Sequence, residues 1–132
     1  MVNDPIGDFI TRLKNAGMVG KREVVVPYSR LKESVALTLK KNGYLTEVAE
    51  VTKTGASREL TATLAYGANG RAVIQGVKRI SKPGRRLYAK AGDVHTVRYG
   101  RGVLVLSTPQ GILSDREARK IHIGGETLFA IW

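Results

Sequence analysis

The 132-residue chain contains no cysteine. Disulfides, thiolate metal sites and cysteine nucleophiles are thereby excluded, and the composition fits a reducing compartment such as the cytoplasm. Aromatic residues make up only 6%, too few for an extended platform on which single-stranded bases stack. Long apolar runs are absent. The longest aliphatic stretch, Val103-Leu104-Val105-Leu106, is far shorter than the ~20 residues of a membrane-spanning helix, so no membrane partner is expected. Met1-Val2-Asn3-Asp4-Pro5 carries an acid and a helix start instead of a basic, then apolar, leader, so no secretion signal is expected. Histidine is scarce too. His95 and His122 have no carboxylate at ligand spacing, so no metal site and no cofactor are expected.

Acids are few as well, with 11 Asp+Glu against 22 Lys+Arg, a net charge of +11. A hydrophobic content of 42% is that of a folded domain and not of a basic tail. The pattern is that of a folded, basic protein whose usual partner is nucleic acid. Charge is uneven along the chain. Residues 1–66 carry ten cations and seven acids, a net of +3; residues 67–132 carry twelve and four, a net of +8. The Gly67-Ala68-Asn69-Gly70 cluster separates them, and the sequence is read as two small lobes, 1–66 and 67–132.

The first lobe reads helix–strand–helix–strand–strand. Asp4 caps a helix with Pro5 at its first position, and Ile6, Phe9, Ile10 and Leu13 form one apolar stripe. Gly17 and Gly20 loosen or end it. Val24-Val25-Val26 is a strand stopped by Pro27. Ser29 caps a second helix with Leu31, Val35 and Leu39 on one face, Lys40-Lys41 at its end and Gly43 beyond. Strands follow over 44–53 and over Leu60–Leu64, where apolar residues alternate, with a turn at Thr54–Ser57. In the second lobe, Val73–Val77 and Leu87–Ala89 read as strands around a Ser81–Gly84 turn. Val103–Ser107 reads as the central strand, and Thr127–Trp132 as the last. Ser114 and Glu117 form a capping box for a short helix that buries Ala118 and Ile121. The fold class is α+β, with a mostly antiparallel second lobe.

Enzyme chemistry is missing. There is no phosphate-binding loop, no dinucleotide-binding glycine fingerprint and no nucleophile elbow. Ser29-Arg30-Leu31-Lys32 matches a penicillin-recognising Ser-x-x-Lys pattern without its companion motifs, and a cap suffices to explain Ser29. Paired carboxylates for two-metal phosphodiester cleavage are not visible, which disfavours a nuclease.

What is supplied suits nucleic acid. Lys78, Arg79, Lys82, Arg85, Arg86 and Lys90 fall within thirteen residues that contain no acid. The Pro83-Gly84 turn brings charges from two strand ends together, where they can neutralise phosphates. Tyr88 lies among them, either as a base- or ribose-packing ring or as an edge-strand tyrosine. Ser107, Thr108 and Gln110 follow a buried strand into a tight turn before the helix at Ser114. Hydroxyls and amides at such a strand-to-helix junction bond phosphates, 2′-hydroxyls and base edges, or cap local backbone. Glu126, after Gly124-Gly125, accepts either from base amino groups or from an internal cation.

Several segments resemble the small-subunit ribosomal protein eight family. The loop Gly102-x-x-Val105-Leu106-Ser107-Thr108-x-x-Gly111-Ile112-Leu113 with Ala118-Arg119 is similar to its signature. Asp4-Pro5-Ile6 through Asn15-Ala16, Val26-Pro27-x-Ser29-x-Leu31-Lys32, the segment Lys78 to Tyr88 and the Gly124-Gly125-Glu126 end match its other elements in order. The resemblance implies a two-lobe α+β fold, no catalysis and a cytoplasmic, ribosomal location. It implies primary binding to the central domain of 16S rRNA, which organises the platform of the 30S subunit. It further implies Ser107, Thr108, Tyr88, Gly124, Gly125 and Glu126 as the grip on an irregular RNA helix. Thr11, Arg12, Lys14 and Asn15 become further rRNA contacts, small-subunit proteins five and twelve neighbours, and the chain's own operon messenger RNA a second ligand. The family loop commonly reads Ser-Thr-Ser-Lys-Gly. Here Pro109-Gln110 removes one hydroxyl, one cation and one N–H, and leaves the Gln110 amide in their place. A general DNA- or RNA-coating architectural protein is the alternative.

Overall fold

The computed structural model describes residues 4–52, 55 and 57–132. Three α-helices and eight strands are present among them. The expected end of a strand at Lys53, and Thr54 and Ala56 of the expected turn, lie outside the described residues. The chain forms two compact units: one spans Asp8–Gln75, and the other joins Gly76–Trp132 to the start of the chain up to Gly7.

Helix α1 (Pro5–Met18) begins as its sequence dictates, with the Gly7 N–H donating to the Asp4 carboxylate at 3.1 Å. Ile6, Phe9, Ile10 and Leu13 are all buried. In the Asp8–Gln75 unit, strands β1 (Glu23–Pro27), β2 (Leu45–Thr52) and β3 (Arg58–Leu64) form an antiparallel sheet in the order β1-β3-β2. Alternation along β3 buries Leu60, Ala62 and Leu64. Helix α2 (Arg30–Lys41) packs against β2 and β3, and the Ser29 hydroxyl accepts from the Lys32 N–H at 3.1 Å. That bond accounts for the Ser-x-x-Lys pattern as a helix cap. Leu31 does not share the expected buried face. Arg30 and Leu31 in the first turn are exposed, and full burial begins at Val35.

The second unit is a five-stranded antiparallel sheet. Strands β4 (Val77–Arg79), β8 (Gly125–Ile131), β6 (Val103–Thr108) and β7 (Gly111–Ser114) lie in that order, and β5 (Tyr88–Ala89) pairs with the other end of β8 beside β4. The most apolar strand is interior, as its composition requires. On its one face, Leu104 and Leu106 join Ala130, Val94, Val97 and Ala118 of α3 (Asp115–Lys120) in a closed cluster. The Ser114–Glu117 capping box is complete.

Three expectations for this region are corrected. The strand expected at Val73–Val77 begins only at Val77. Ala72 bridges Tyr66 and the Val73 N–H bonds the Ala65 carbonyl, which holds that stretch in the hairpin of the Asp8–Gln75 unit. No direct strand-to-helix junction follows Leu106. The chain folds back at Pro109-Gln110 and pairs as β7, with Thr108 opposite Gly111, before reaching α3. Ile121 is half-exposed because it is the C-cap of α3; Ile123 packs on the core in its place.

Candidate nucleic-acid interface

The β8 strand carries one extra residue against β6. Val105 faces Phe129, but Leu106 faces Thr127, so Leu128 is a bulge. The Leu128 carbonyl, released from that ladder, accepts from the Ile80 N–H at 3.1 Å and from the Arg79 guanidinium. Beyond the bulge, Glu126 lies directly between Ser107 on β6 and Tyr88 on β5. Directly opposed residues of antiparallel strands share a face. Three sequence-distant candidates thus form one row across three strands.

The glycines before Glu126 make that row close. A Cβ on Gly125 would stand 2.2 Å from the Ser107 carbonyl oxygen, and one on Gly124 would stand 2.2 Å from that of Ala89. Only glycine allows these backbones to approach. Gly124 and Gly125 therefore have an architectural task that does not need RNA.

Glu126 is held from below. The Ser81 hydroxyl, fully buried, donates to one carboxylate oxygen and accepts from the Leu87 N–H at 3.2 Å. Arg86 bonds the other oxygen at 3.4 Å with its guanidinium in solvent. The internal cation foreseen for Glu126 is thus present, and the side chain is fixed and only 15% exposed. The Tyr88 ring is 70% exposed, so its packing task within the sheet is small. The half-buried Ser107 hydroxyl makes no hydrogen bond among the described residues. Thr108 differs. Its hydroxyl donates to the Gly111 carbonyl at 2.8 Å and accepts from the Gln110 N–H at 3.1 Å, so it caps its own turn. Gly111, with φ of 106°, permits that turn, and the Gln110 side chain is exposed at its tip.

The basic segment forms a hairpin. Lys82 and Arg85 exchange backbone hydrogen bonds at 2.9 Å across Pro83-Gly84, and both side chains are exposed, as are Lys78 and Arg86. Arg79 is the exception. Its guanidinium donates twice to the Asp4 carboxylate, at 3.1 Å each, besides the Leu128 carbonyl. Burial works to raise the Asp4 pKa. Hydrogen bonds from Arg79 and Gly7, with the charges of Arg79 and Lys82, outweigh it and hold the carboxyl below its ordinary value.

In the Asp8–Gln75 unit, Arg12 and Asn15 line a shallow cavity of about 400 Å³ together with Lys21. Arg12 is ion-paired with Asp8 one helical turn away, and both are exposed. Thr11 is exposed and Lys14 half-buried on other parts of α1, and neither lines that cavity. Sequence reasoning missed Ser81 as the support of Glu126; a lone serine in a basic turn carries no signal for a partner 45 residues away. It also missed the Arg98–Trp132 pair described below. Among the described residues, no cluster of three metal-ligating side chains exists.

A small, basic α+β protein with a fixed polar row beside a cationic hairpin is of the kind that presents a surface to a polyanion, not a reaction centre. The family model for ribosomal protein S8 matches residues 4–132, and the chain belongs to that family, whose members are structural and not catalytic. It is 43% identical over 131 residues to small ribosomal subunit protein uS8 of Chloroflexus aurantiacus, covering 99% of this chain and 98% of the relative. It is 46% identical over 133 residues to the protein of the same name from a Nocardioides strain, with 99% and 98% covered. The uS8 of Salinispora arenicola is 43% identical over 133 residues, with the same coverage.

Proposed function

We propose that this chain is a structural constituent of the small ribosomal subunit and binds the central domain of 16S rRNA, where it helps organise the 30S platform. The observation that carries the RNA-binding reading is the row Ser107–Glu126–Tyr88. It offers an unpaired hydroxyl, a fixed acceptor and an exposed ring within one register line, flanked by exposed cations. Hydroxyl and ring suit 2′-OH groups and unstacked bases, the features by which RNA is told from DNA. The carboxylate suits exocyclic amino donors. Lys78, Lys82, Arg85 and Arg86 supply registration on phosphates, Gln110 an amide at the hairpin tip, and Gly124 and Gly125 the close backbone approach that sets the row.

Arg79 serves this reading by anchoring the strand, and Thr108 by shaping the turn. Thr11, Arg12, Lys14 and Asn15 on α1 are a secondary contact. Proteins five and twelve of the small subunit as neighbours, the chain's own messenger RNA as a second ligand, and a ribosomal, cytoplasmic location complete the proposal. The test is differential. Tyr88→Ala and Ser107→Ala should weaken binding to a 16S central-domain fragment about tenfold or more, with little loss on unrelated RNA. Lys82→Ala should weaken all RNAs alike and flatten the salt slope by roughly 0.7–0.9. Equal losses on every RNA for Tyr88→Ala and Ser107→Ala would remove the row from recognition.

A further inference from the structure

Beside the β4 edge the sheet opens a groove of about 710 Å³. Lys78, Lys82 and Arg85 from the basic segment line it together with Arg98 and Trp132. Among the described residues, no acidic side chain lines it. Among the described residues, Lys78, Lys82, Arg85 and Arg98 form no salt bridge. Four cations without a salt-bridge partner around one groove repel each other, which is the state that a bound polyanion relieves.

The groove also carries a stacking surface. The Arg98 guanidinium lies 4.4 Å above the Trp132 ring. Arg98 takes a left-handed backbone, φ 49°, in a turn closed by the Gly100 and Gly102 N–H groups on the Val97 carbonyl at 3.0 Å each. A non-glycine residue held there costs about 1–3 kcal/mol and persists only where its surroundings fix it. The outer face of a guanidinium already packed on an indole is a plane on which a base can stack.

We infer that this groove is a second RNA site, which takes the sugar–phosphate backbone of a short unpaired strand and stacks one base on the Arg98–Trp132 pair. It rests on the RNA-binding reading above and shares Lys78, Lys82 and Arg85 with it, but its stacked Arg98–Trp132 pair lies off the row. Lys78 pairs with Ala130, whose β6 partner is Leu104, and Leu104 and Ser107 lie on opposite faces of that strand. The groove volume lies within the about 300–1,000 Å³ range of sites that enclose compact ligands, which suits one or two nucleotides and excludes a duplex. An acidic peptide would satisfy the cations and leave the stacked pair unused, so RNA is favoured.

Trp132 is the sole tryptophan of the chain, so its fluorescence reports the groove directly. Titration of the full chain with a short single-stranded oligoriboadenylate should change that fluorescence saturably. Arg98→Lys, which keeps the charge and loses the plane, should weaken this binding about tenfold, as loss of one stacked base does. The Lys82→Ala/Arg85→Ala double variant should weaken it and flatten its loss with salt, while Tyr88→Ala should leave it unchanged. An unchanged Trp132 signal at saturating oligonucleotide overturns the inference, as does equal affinity in Arg98→Lys. Displacement by polyglutamate at equal charge concentration would assign the groove to an acidic protein segment. Failure of the ribosomal reading looks different: the oligonucleotide would bind the groove while the 16S fragment gained no preference over unrelated RNA.

Discussion

His122 holds a φ of 57° at the end of α3, where glycine is the usual residue. Its N–H bonds the Arg119 carbonyl at 3.2 Å, and the Ile123 N–H bonds that of Ala118 at 2.9 Å. These two bonds make a Schellman cap, and Ile123 completes it by packing on the Ala118 cluster. His122→Gly should therefore stabilise the fold by about 0.5–1 kcal/mol, read by chemical denaturation, because it removes a left-handed Cβ penalty. A loss of stability would show that the His122 side chain contributes more than its strain costs. Asp4 predicts a pH effect. Its folded pKa is depressed, so its contribution is full above the ordinary aspartate value of 3.8 and is lost as pH falls through the folded value. Asp4→Asn should lower stability near neutral pH and flatten its fall in acid. An unchanged acid limb in stability measured from pH 6 to pH 2 would mean the Asp4–Arg79 pair contributes nothing.

At the scale of elements, the sheet around β8 is set by what cannot be larger than glycine. Gly125→Ala places a methyl against the Ser107 carbonyl and Gly124→Ala one against the Ala89 carbonyl. Overpacking of this kind costs about 1–3 kcal/mol, and each variant should also lose the preference for cognate RNA because the row loses its register. Full stability with intact preference in Gly125→Ala would disprove the tight β6–β8 approach. Ser81→Ala should cost about 1–3 kcal/mol, since it leaves the Leu87 N–H without its acceptor and frees Glu126 to swing. Elements with strong local chemistry were legible in the sequence. Asp4-Pro5, Ser29 and the Ser114–Glu117 box start all three helices where read, and the alternation of Leu60–Leu64 appears as a half-buried strand. Strand β7 was not legible, because Gly111 to Ser114 is short and ends on the capping residue, so hairpin and junction share one pattern. The candidate site was legible as a set of residues and not as a row. The bulge at Leu128, which aligns Ser107 with Glu126, leaves no mark in a single sequence.

For the whole molecule, a net charge of +11 makes attraction to any polyanion certain at low salt and uninformative by itself. Specificity must come from the few groups that charge does not describe: the Ser107 hydroxyl, the Tyr88 ring and the supported Glu126 carboxylate. The first test is equilibrium binding of the full chain to a 16S central-domain fragment over a salt series, with unrelated RNA hairpins and duplex DNA of equal length as competitors. Recognition through the row predicts tight binding that survives excess competitor and a salt slope shallower, relative to affinity, than that on duplex DNA. Equal affinity for every polyanion with one common salt slope would contradict it and leave only a basic surface.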